Sequence, residues 1–367
     1  MKKREVNRLM AIIMSSALAA FSLAGCGSQQ AGTAASTAAA STEAASTETA
    51  ASTEAASAEN AASTETASTE AASTEAASTE AADDEENYDT GDASLDDSLN
   101  ADEIGEKEIL VVSFGTSYND SRRETIGAIE KAVAEAYPDW SVRRAFTSDI
   151  IINHIKERDG QEIDDLKTAL DRAVDNGVKE LVVQPTHLMN GLEYTDIETT
   201  LAEYSDAFDK IVLGKQLLDT DEDYEAVISA ITDATTDYDD GETAIVYMGH
   251  GTSADSNSSY AKIQEMLTAD GYENYFITTV EASPTPEETL ESVKKGEYKK
   301  VVLLPFMVVA GDHANNDMAG DDDDSIKSLF TKAGYEVETV IQGLGANEDI
   351  QDIYVDHIED SMESIEE

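Results

Sequence analysis

Residues 244–251 have the sequence AIVYMGHG, an unbroken apolar run that ends in a histidine between two glycines. A continuous apolar run of this length is typical of a strand covered on both faces, as in a parallel sheet. Glycine permits sharp turns and close approach of a ligand. Ligands of open parallel sheets bind beyond the carboxyl ends of the strands. The stretch therefore predicts an α/β fold with His250 at the binding edge.

Two further apolar runs end in polar residues in the same way. Residues 276–280 (FITTV) lead to Glu281, and residues 301–310 (VVLLPFMVVA) lead to His313. For each residue alone, a cap, a core position or a polar loop is an adequate structural explanation. Two imidazoles and one carboxylate also form a ligand set that suits a divalent transition metal and leaves coordination positions open. Their occurrence at three strand ends favours one shared metal site of His250, Glu281 and His313.

Eight apolar segments are candidate strands, and amphipathic stretches separate them. The candidates are residues 108–113, 141–146, 179–185, 209–213, 243–248, 275–280, 299–305 and 335–340. This alternation predicts parallel sheets joined by right-handed crossovers.

An internal repeat is visible in the same segments. Residues 111–117 (VVSFGTS) parallel residues 247–253 (YMGHGTS), and residues 182–191 parallel residues 303–311. We predict an α/β fold of two similar halves, each a four-stranded parallel sheet flanked by helices, with a cleft between them.

The predicted halves are residues 105–236 and residues 237–367. In the alignment of the repeats, Phe114 takes the place of His250, Phe146 roughly that of Glu281, and Glu193 that of His313. Only the C-terminal half would then carry the metal site.

The first 26 residues have the features of an export signal. Basic residues at positions 2–4 precede an apolar stretch, 9–23, that is short for a membrane span. It ends in Leu-Ala-Gly-Cys, which resembles a bacterial lipobox. We predict a signal peptide over 1–25 and lipidation of Cys26, so that the protein is anchored at the extracytoplasmic face of a bacterial cell membrane. The alternative is an ordinary secretory signal with an incidental cysteine.

Residues 26–104 are predicted to be a disordered linker, rich in Ala, Ser, Thr and Glu and then acidic, because they contain too few large apolar residues to form a core. The formal net charge is −53 for the whole chain, which argues against nucleic acid as a partner. Cys26 is the only cysteine, so an intramolecular disulfide and a multi-cysteine metal site are excluded.

Six short strings resemble the anaerobic sirohydrochlorin cobaltochelatases, which are class II tetrapyrrole chelatases, and the resemblance spans essentially all of residues 108–360. The strings are SFGTS at 113–117, RAFTS at 144–148, QPTHLMNGLEY at 184–194, MGHG at 248–251, VEA at 280–282 and VAGDHANNDMA at 309–319. The last string is the most specific. Two features of this chain differ from the usual member of the family. The chain carries a predicted export signal where the usual member is cytoplasmic, and Pro185 stands where the family string has a serine.

The resemblance implies two ferrochelatase-like halves and a lyase that inserts Co²⁺ into sirohydrochlorin during cobalamin biosynthesis. His250, Glu281 and His313 would be both the metal ligands and the catalytic residues. Fe²⁺ or Ni²⁺, or a related porphyrin, are alternatives within the same chemistry. A different alternative is a surface lipoprotein that binds haem, another tetrapyrrole or metal without turnover, although nothing in the sequence indicates haem. A homo-oligomer is also left open.

Sirohydrochlorin carries eight carboxylates, so arginines near the strand ends are candidate substrate contacts. Of the pairs at 122–123 and 143–144, Arg144 is the strongest candidate because it lies in a family-like string. Four more predicted substrate contacts lie in such strings, and they are Ser113, Thr116, His187 and Glu193.

Overall fold

The computed structural model describes residues 90–366 of the protein. The strands are β1 (Lys107–Ser113), β2 (Ser141–Phe146), β3 (Glu180–Pro185), β4 (Lys210–Leu213), β5 (Thr243–Gly249), β6 (Tyr275–Thr279), β7 (Lys300–Pro305) and β8 (Glu336–Thr339). Each strand begins and ends within one residue of a segment predicted from its apolar run.

Helices connect and cover these strands. They are α1 (Asn119–Glu124), α2 (Ile126–Ala136), α3 (Asp149–Asp159), α4 (Leu166–Asp175), α5 (Leu192–Glu203), α6 (Asp221–Ala234), α7 (Ser258–Ala269), α8 (Pro286–Val293), α9 (Ile326–Lys332) and α10 (Glu348–Glu366). A π-helical turn, Ala314–Met318, follows β7.

The strands form two sheets of the same topology. Their orders are β2-β1-β3-β4 and β6-β5-β7-β8, and every pairing is parallel. The predicted fold class of two four-stranded parallel sheets flanked by helices is confirmed. Because β1 and β5 hold the same central place, the loops after them are structural equivalents.

Local sequence explains why the helices form where they do. In α4, buried Leu166, Ala169, Leu170 and Ala173 recur at helical spacing on one face, and Asp165 caps the first turn by accepting a hydrogen bond from the amide of Thr168. Capping boxes start α6 and α8, and α8 also has proline at its first position. The caps of α6 and α8 end the loops that leave the carboxyl ends of β4 and β6.

The two halves share one hydrophobic core. The largest buried cluster includes Ile109 and Val182 from the first sheet and Ile245 and Val302 from the second. The C-terminal helix α10 packs on α2, α6, β3 and β4, so it covers the first half although it follows the second in sequence. The predicted boundary at residue 237 therefore separates the two sheets but not the core.

Residues 90–104 are ordered, so the prediction of a disordered linker up to residue 104 is wrong for this segment. Asp96 binds Arg122 Nε at 2.6 Å and Arg144 Nη1 at 2.7 Å, and the Leu99 carbonyl accepts a hydrogen bond from the Arg144 amide at 3.0 Å. The physical reason is charge rather than apolar burial, because the Asp96 carboxylate pairs with two buried guanidinium groups.

Two predicted regions, the signal peptide at 1–25 and the linker over 26–89 with Cys26, lie outside the described residues. Across residues 90–366, no helix combines the length and the hydropathy needed to cross a membrane.

Candidate active site

The structure brings His250, Glu281 and His313 together at the carboxyl ends of β5, β6 and β7. One ligand atom from each lies within 4.8 Å of the others. The two imidazole rings are 4.6 Å apart between centroids at 78°, and His250 Nε2 lies 3.8 Å from Glu281 Oε1. Two nitrogen donors and one oxygen donor therefore converge on one point.

Hydrogen bonds select the tautomer of each histidine. His250 Nδ1 lies 2.8 Å from the carbonyl oxygen of Gly251, which only accepts, so Nδ1 carries the proton. His313 Nδ1 donates in the same way to Asp317 Oδ2 at 2.7 Å. In the neutral form of each ring, Nε2 then carries the lone pair that a metal can use, and the bonded Nδ1 fixes the ring orientation.

Glycines keep the His250 loop close to the Glu281 loop. Gly251 has φ of +89°, and a Cβ there would lie 2.8 Å from the amide nitrogen of Ala282. A side chain at Gly251 would therefore be strained and would force the loops apart. The Glu281 amide also donates to the His250 carbonyl at 2.8 Å, which joins the two residues through the backbone.

A π-helical turn positions His313. Ala314 and Met318 are buried, and the polar residues between and before them hold the turn together. Asn316 Nδ2 donates to Asp312 Oδ1 at 2.7 Å, and Asn315 Nδ2 donates to the Gly311 carbonyl at 2.8 Å. Single π-turns recur at functional sites. The structure thus gives each polar residue of the most specific sequence string a defined contact.

Sequence reasoning missed Asp317 as the partner of His313. The hydrogen bond from His313 to Asp317 raises the pKa of His313, although partial burial opposes this effect. A carboxylate bonded to an imidazole also makes that ring a better metal donor. The sequence did contain a signal for this contact, because Asp317 follows His313 by four residues, about one helical turn.

The site is accessible from solvent. The side chains of His250, Glu281 and His313 retain 46%, 55% and 34% of their exposure. Solvent therefore reaches all three side chains.

Arg144 was predicted to bind substrate carboxylates, and this prediction is wrong. The side chain is 1% exposed and binds Glu130 Oε2 at 2.6 Å as well as Asp96. Burial alone would lower its pKa, but Glu130 and Asp96 outweigh burial and hold the pKa of Arg144 above its usual value. Four of its five N–H donors already serve protein carboxylates, and the side chain is almost fully buried.

The neighbouring arginines are also committed to protein carboxylates. Arg122 and Arg143 are buried against Asp96 and Glu108, and Arg123 pairs at the surface with Asp120 and Glu124.

Ser113 and Thr116, predicted as substrate contacts, are 1% and 2% exposed. Ser113 Oγ accepts a hydrogen bond from Thr186, and Thr116 Oγ1 accepts one from the amide of Tyr118. Both hydroxyls therefore shape the turn after β1, and the prediction that they bind substrate is wrong.

His187 and Glu193, the remaining predicted substrate contacts, lie beside each other. His187 Nε2 is 3.0 Å from Glu193 Oε2, with side-chain exposures of 9% and 44%. Contact of this pair with substrate stays a prediction, and Glu193 is the more accessible of the two.

A duplicated α/β fold with two imidazoles and a carboxylate at neighbouring strand ends is the arrangement expected of a metallochelatase. The chain matches the family described as Cobalt chelatase (CbiK) over residues 107–363. The protein belongs to this cobalt chelatase family.

Two relatives are named sirohydrochlorin cobaltochelatase. The protein of Salmonella typhimurium is 36% identical over 256 residues, which is 70% of this chain and 96% of the relative. Sirohydrochlorin cobaltochelatase CbiKC of Nitratidesulfovibrio vulgaris is 28% identical over 263 residues, covering 71% and 92%. Among solved structures, SirB from Bacillus subtilis with Fe³⁺ shares 15% identity at a TM-score of 0.49, over 70% of this chain and 96% of that chain.

Proposed function

We propose that the protein inserts Co²⁺ into sirohydrochlorin and does so while tethered to the extracytoplasmic face of the cell membrane. The observation that carries the catalytic part is the convergence of two free imidazole Nε2 atoms with the Glu281 carboxylate. Membership of the cobalt chelatase family and the names of the two relatives support the same reaction.

The reaction exchanges one Co²⁺ for two pyrrole N–H protons, so the site must supply metal ligands and a proton acceptor. Neutral imidazole suits Co²⁺, and His250 and His313 each offer one Nε2. The Glu281 carboxylate lies 3.8 Å from His250 Nε2 and is half exposed, so it can accept the two pyrrole protons in turn and pass each one to solvent. The same carboxylate offsets the charge of the arriving metal.

A second candidate function is a surface protein that binds a tetrapyrrole or metal without turnover. The sequence of residues 1–25, which predicts an export signal, favours it. A pure binder would gain nothing from a proton acceptor beside the metal ligands. Replacement of Glu281 therefore distinguishes the two functions.

Glu281→Gln should slow Co²⁺ insertion by about 100-fold, because glutamine keeps the shape but cannot accept a proton. Affinity for sirohydrochlorin should change far less. The insertion rate is followed by absorbance and the affinity by titration of metal-free tetrapyrrole. Glu287→Gln, an exposed glutamate of α8 outside the site, is the matched control. Equal losses of rate and of affinity would contradict the assignment of Glu281 as proton acceptor.

The membrane tether is tested by Cys26→Ser. Loss of the thiol should abolish lipid labelling and release the protein into the soluble fraction, because acylation requires that sulfur. Ser28→Ala, two residues away, should leave lipid labelling and membrane partition unchanged. Membrane partition of the cysteine variant equal to wild type would show that something other than Cys26 anchors the chain.

A further inference from the structure

Each sheet has two edge strands, and the edges formed by β2 and β6 are covered by other parts of the chain. In β2, the Arg144 amide donates to the Leu99 carbonyl at 3.0 Å. In β6, the Gln264 side chain donates to the Tyr275 carbonyl at 3.0 Å and accepts a hydrogen bond from the Ile277 amide at 2.8 Å. Main-chain groups at these two edges therefore already have partners, which protects the edges from pairing with another chain.

The outer edge of β4 lacks such a cover. The amides of Lys210 and Gly214 donate toward β3, at 3.0 and 2.7 Å. Because alternate residues of a strand face opposite neighbours, the main-chain groups of Ile211 and Leu213 face outward. In the part of the chain that the structure describes, no strand lies beyond β4 and no hydrogen bond reaches these two residues from that side. Two amides and two carbonyls are thus open to a further strand.

An apolar groove runs beside this open edge, between β4 and α5. Its lining consists of Glu198, Leu201, Ala202, Ile211, Val212 and Leu213. Ile211 and Leu213 are partly buried against the apolar cluster that includes Leu201, and Val212 is partly buried against the cluster on the opposite face of the sheet. Apolar side chains and unpaired main-chain groups thus occur together, and this combination favours addition of a strand.

The sequence of β4, KIVL, fits an antiparallel copy of itself. A two-fold axis at Val212 would place Ile211 opposite Leu213 of the second copy, and each such pair would exchange two main-chain hydrogen bonds. Val212 would meet Val212 of the second copy as a close, non-hydrogen-bonded pair. Valine packs well against cross-strand neighbours. Residues directly opposite each other lie on one face of a sheet, so Ile211 and Leu213 of both copies would border the grooves.

Charges at the two ends of β4 favour the same antiparallel direction. Asp209 precedes the strand, Lys215 follows it by two residues, and both are exposed. A two-fold axis at Val212 would bring Asp209 close to Lys215 of the second copy, and symmetry would repeat this contact. A parallel arrangement in register would instead bring like charges together. The charge pattern of β4 is therefore complementary to itself only in the antiparallel direction.

β8 is the equivalent edge strand of the second sheet, but it does not fit a second copy. The amides of Glu336 and Val340 donate toward β7, at 3.1 and 2.9 Å, so the main-chain groups of Val337 and Thr339 face outward. The matching two-fold axis would pass through Glu338. Although a lysine of β7 pairs with Glu338, two carboxylates would lie directly opposite each other, which destabilises a sheet. β4 is thus the better edge for pairing.

We propose that β4 is the docking edge for a second copy of this chain, and that two molecules join their first sheets about a two-fold axis at Val212. The contact is small, so we expect a weak dimer with a Kd of about 1–100 µM. The edge contains none of His250, Glu281 and His313, so each copy keeps its own metal site.

Sedimentation of the purified protein over a range of concentrations, in detergent that masks any lipid chain, should show a reversible monomer–dimer equilibrium. Asp209→Lys and Lys215→Asp should each weaken the dimer about tenfold, because each change creates two symmetric pairs of like charges. The double variant should recover most of the association, since it restores unlike pairs. Asp270→Lys makes the same charge change at an exposed site after α7 and should have no effect.

Amide hydrogen exchange tests the main-chain contact without any substitution. Exchange at Ile211 and Leu213 should slow as the protein concentration rises through the Kd, while exchange at Val337 and Thr339 should stay constant. The rate of Co²⁺ insertion per chain should be the same in the charge variants as in wild type.

Three results would overturn the proposal. The first is a protein that stays monomeric at every concentration up to about 100 µM, the upper end of the expected Kd range. The second is a dimer whose formation leaves exchange at Ile211 and Leu213 unchanged, since it would use another surface. The third is a double charge variant that associates no better than the single variants, because it would contradict the antiparallel register.

Discussion

His250→Ala and His313→Ala are each expected to reduce Co²⁺ insertion by more than about 100-fold, since loss of residues that merely support metal ligands already costs 10- to 100-fold. Each substitution removes one of two imidazoles whose Nε2 is free. Co²⁺ affinity of the protein alone should fall in parallel. Absorbance change on metallation gives the rate, and calorimetry gives the affinity.

The fold should survive these substitutions, because both side chains are half exposed and the buried strands before them are unchanged. His154→Ala removes an imidazole from α3, away from the site, and is the control. If either site variant metallates at the wild-type rate, other residues hold the metal.

Asp96→Ala is expected to destabilise the protein by about 3–5 kcal/mol, the usual cost of leaving buried charges without their partner. Asp96 is the carboxylate that binds both Arg122 and Arg144, each no more than 1% exposed. Denaturant unfolding measures the loss. Asp97→Ala, which removes an adjacent exposed carboxylate, should change stability little. Equal stability of the two variants would show that residues 90–104 do not stabilise the domain.

Acid should reduce the difference between wild type and Asp96→Ala. Burial alone would raise the pKa of Asp96, but Arg144 and Arg122 outweigh burial, and its pKa is lowered in the folded protein. A lowered pKa contributes stability above the unfolded value of about 3.9, and that stability is lost as pH falls through the folded pKa. The gap in unfolding free energy should therefore be full at neutral pH and shrink below about pH 4.

The strands and the convergence of His250, Glu281 and His313 could be predicted because their signals are local. A continuous apolar run fixes a buried strand, and the repeated motifs reveal that both halves share one strand order. Polar residues directly after such strands must lie at one edge of the sheet. The positions of His250, Glu281 and His313 follow from these two facts.

Partners distant in sequence could not be predicted. Arg144 is the type of residue that binds substrate carboxylates, but its partners Glu130 and Asp96 are 14 and 48 residues away in the sequence. Residues 90–104 have the composition of a linker, yet Asp96 pairs with two buried arginines, and Gln161 donates to the carbonyls of Ala93 and Asp96. The apolar face of α10 predicts that this helix is buried, but it does not indicate which half of the protein the helix packs on.

The central claim is tested most directly by mixing the purified full-length protein with Co²⁺ and metal-free sirohydrochlorin and following absorbance. The account predicts that many equivalents of cobalt-sirohydrochlorin form per protein molecule, faster than in buffer alone. Repeated turnover separates an enzyme from a binder, which stops at one equivalent. Tight binding of sirohydrochlorin with no insertion of Co²⁺, Fe²⁺ or Ni²⁺ would contradict the account.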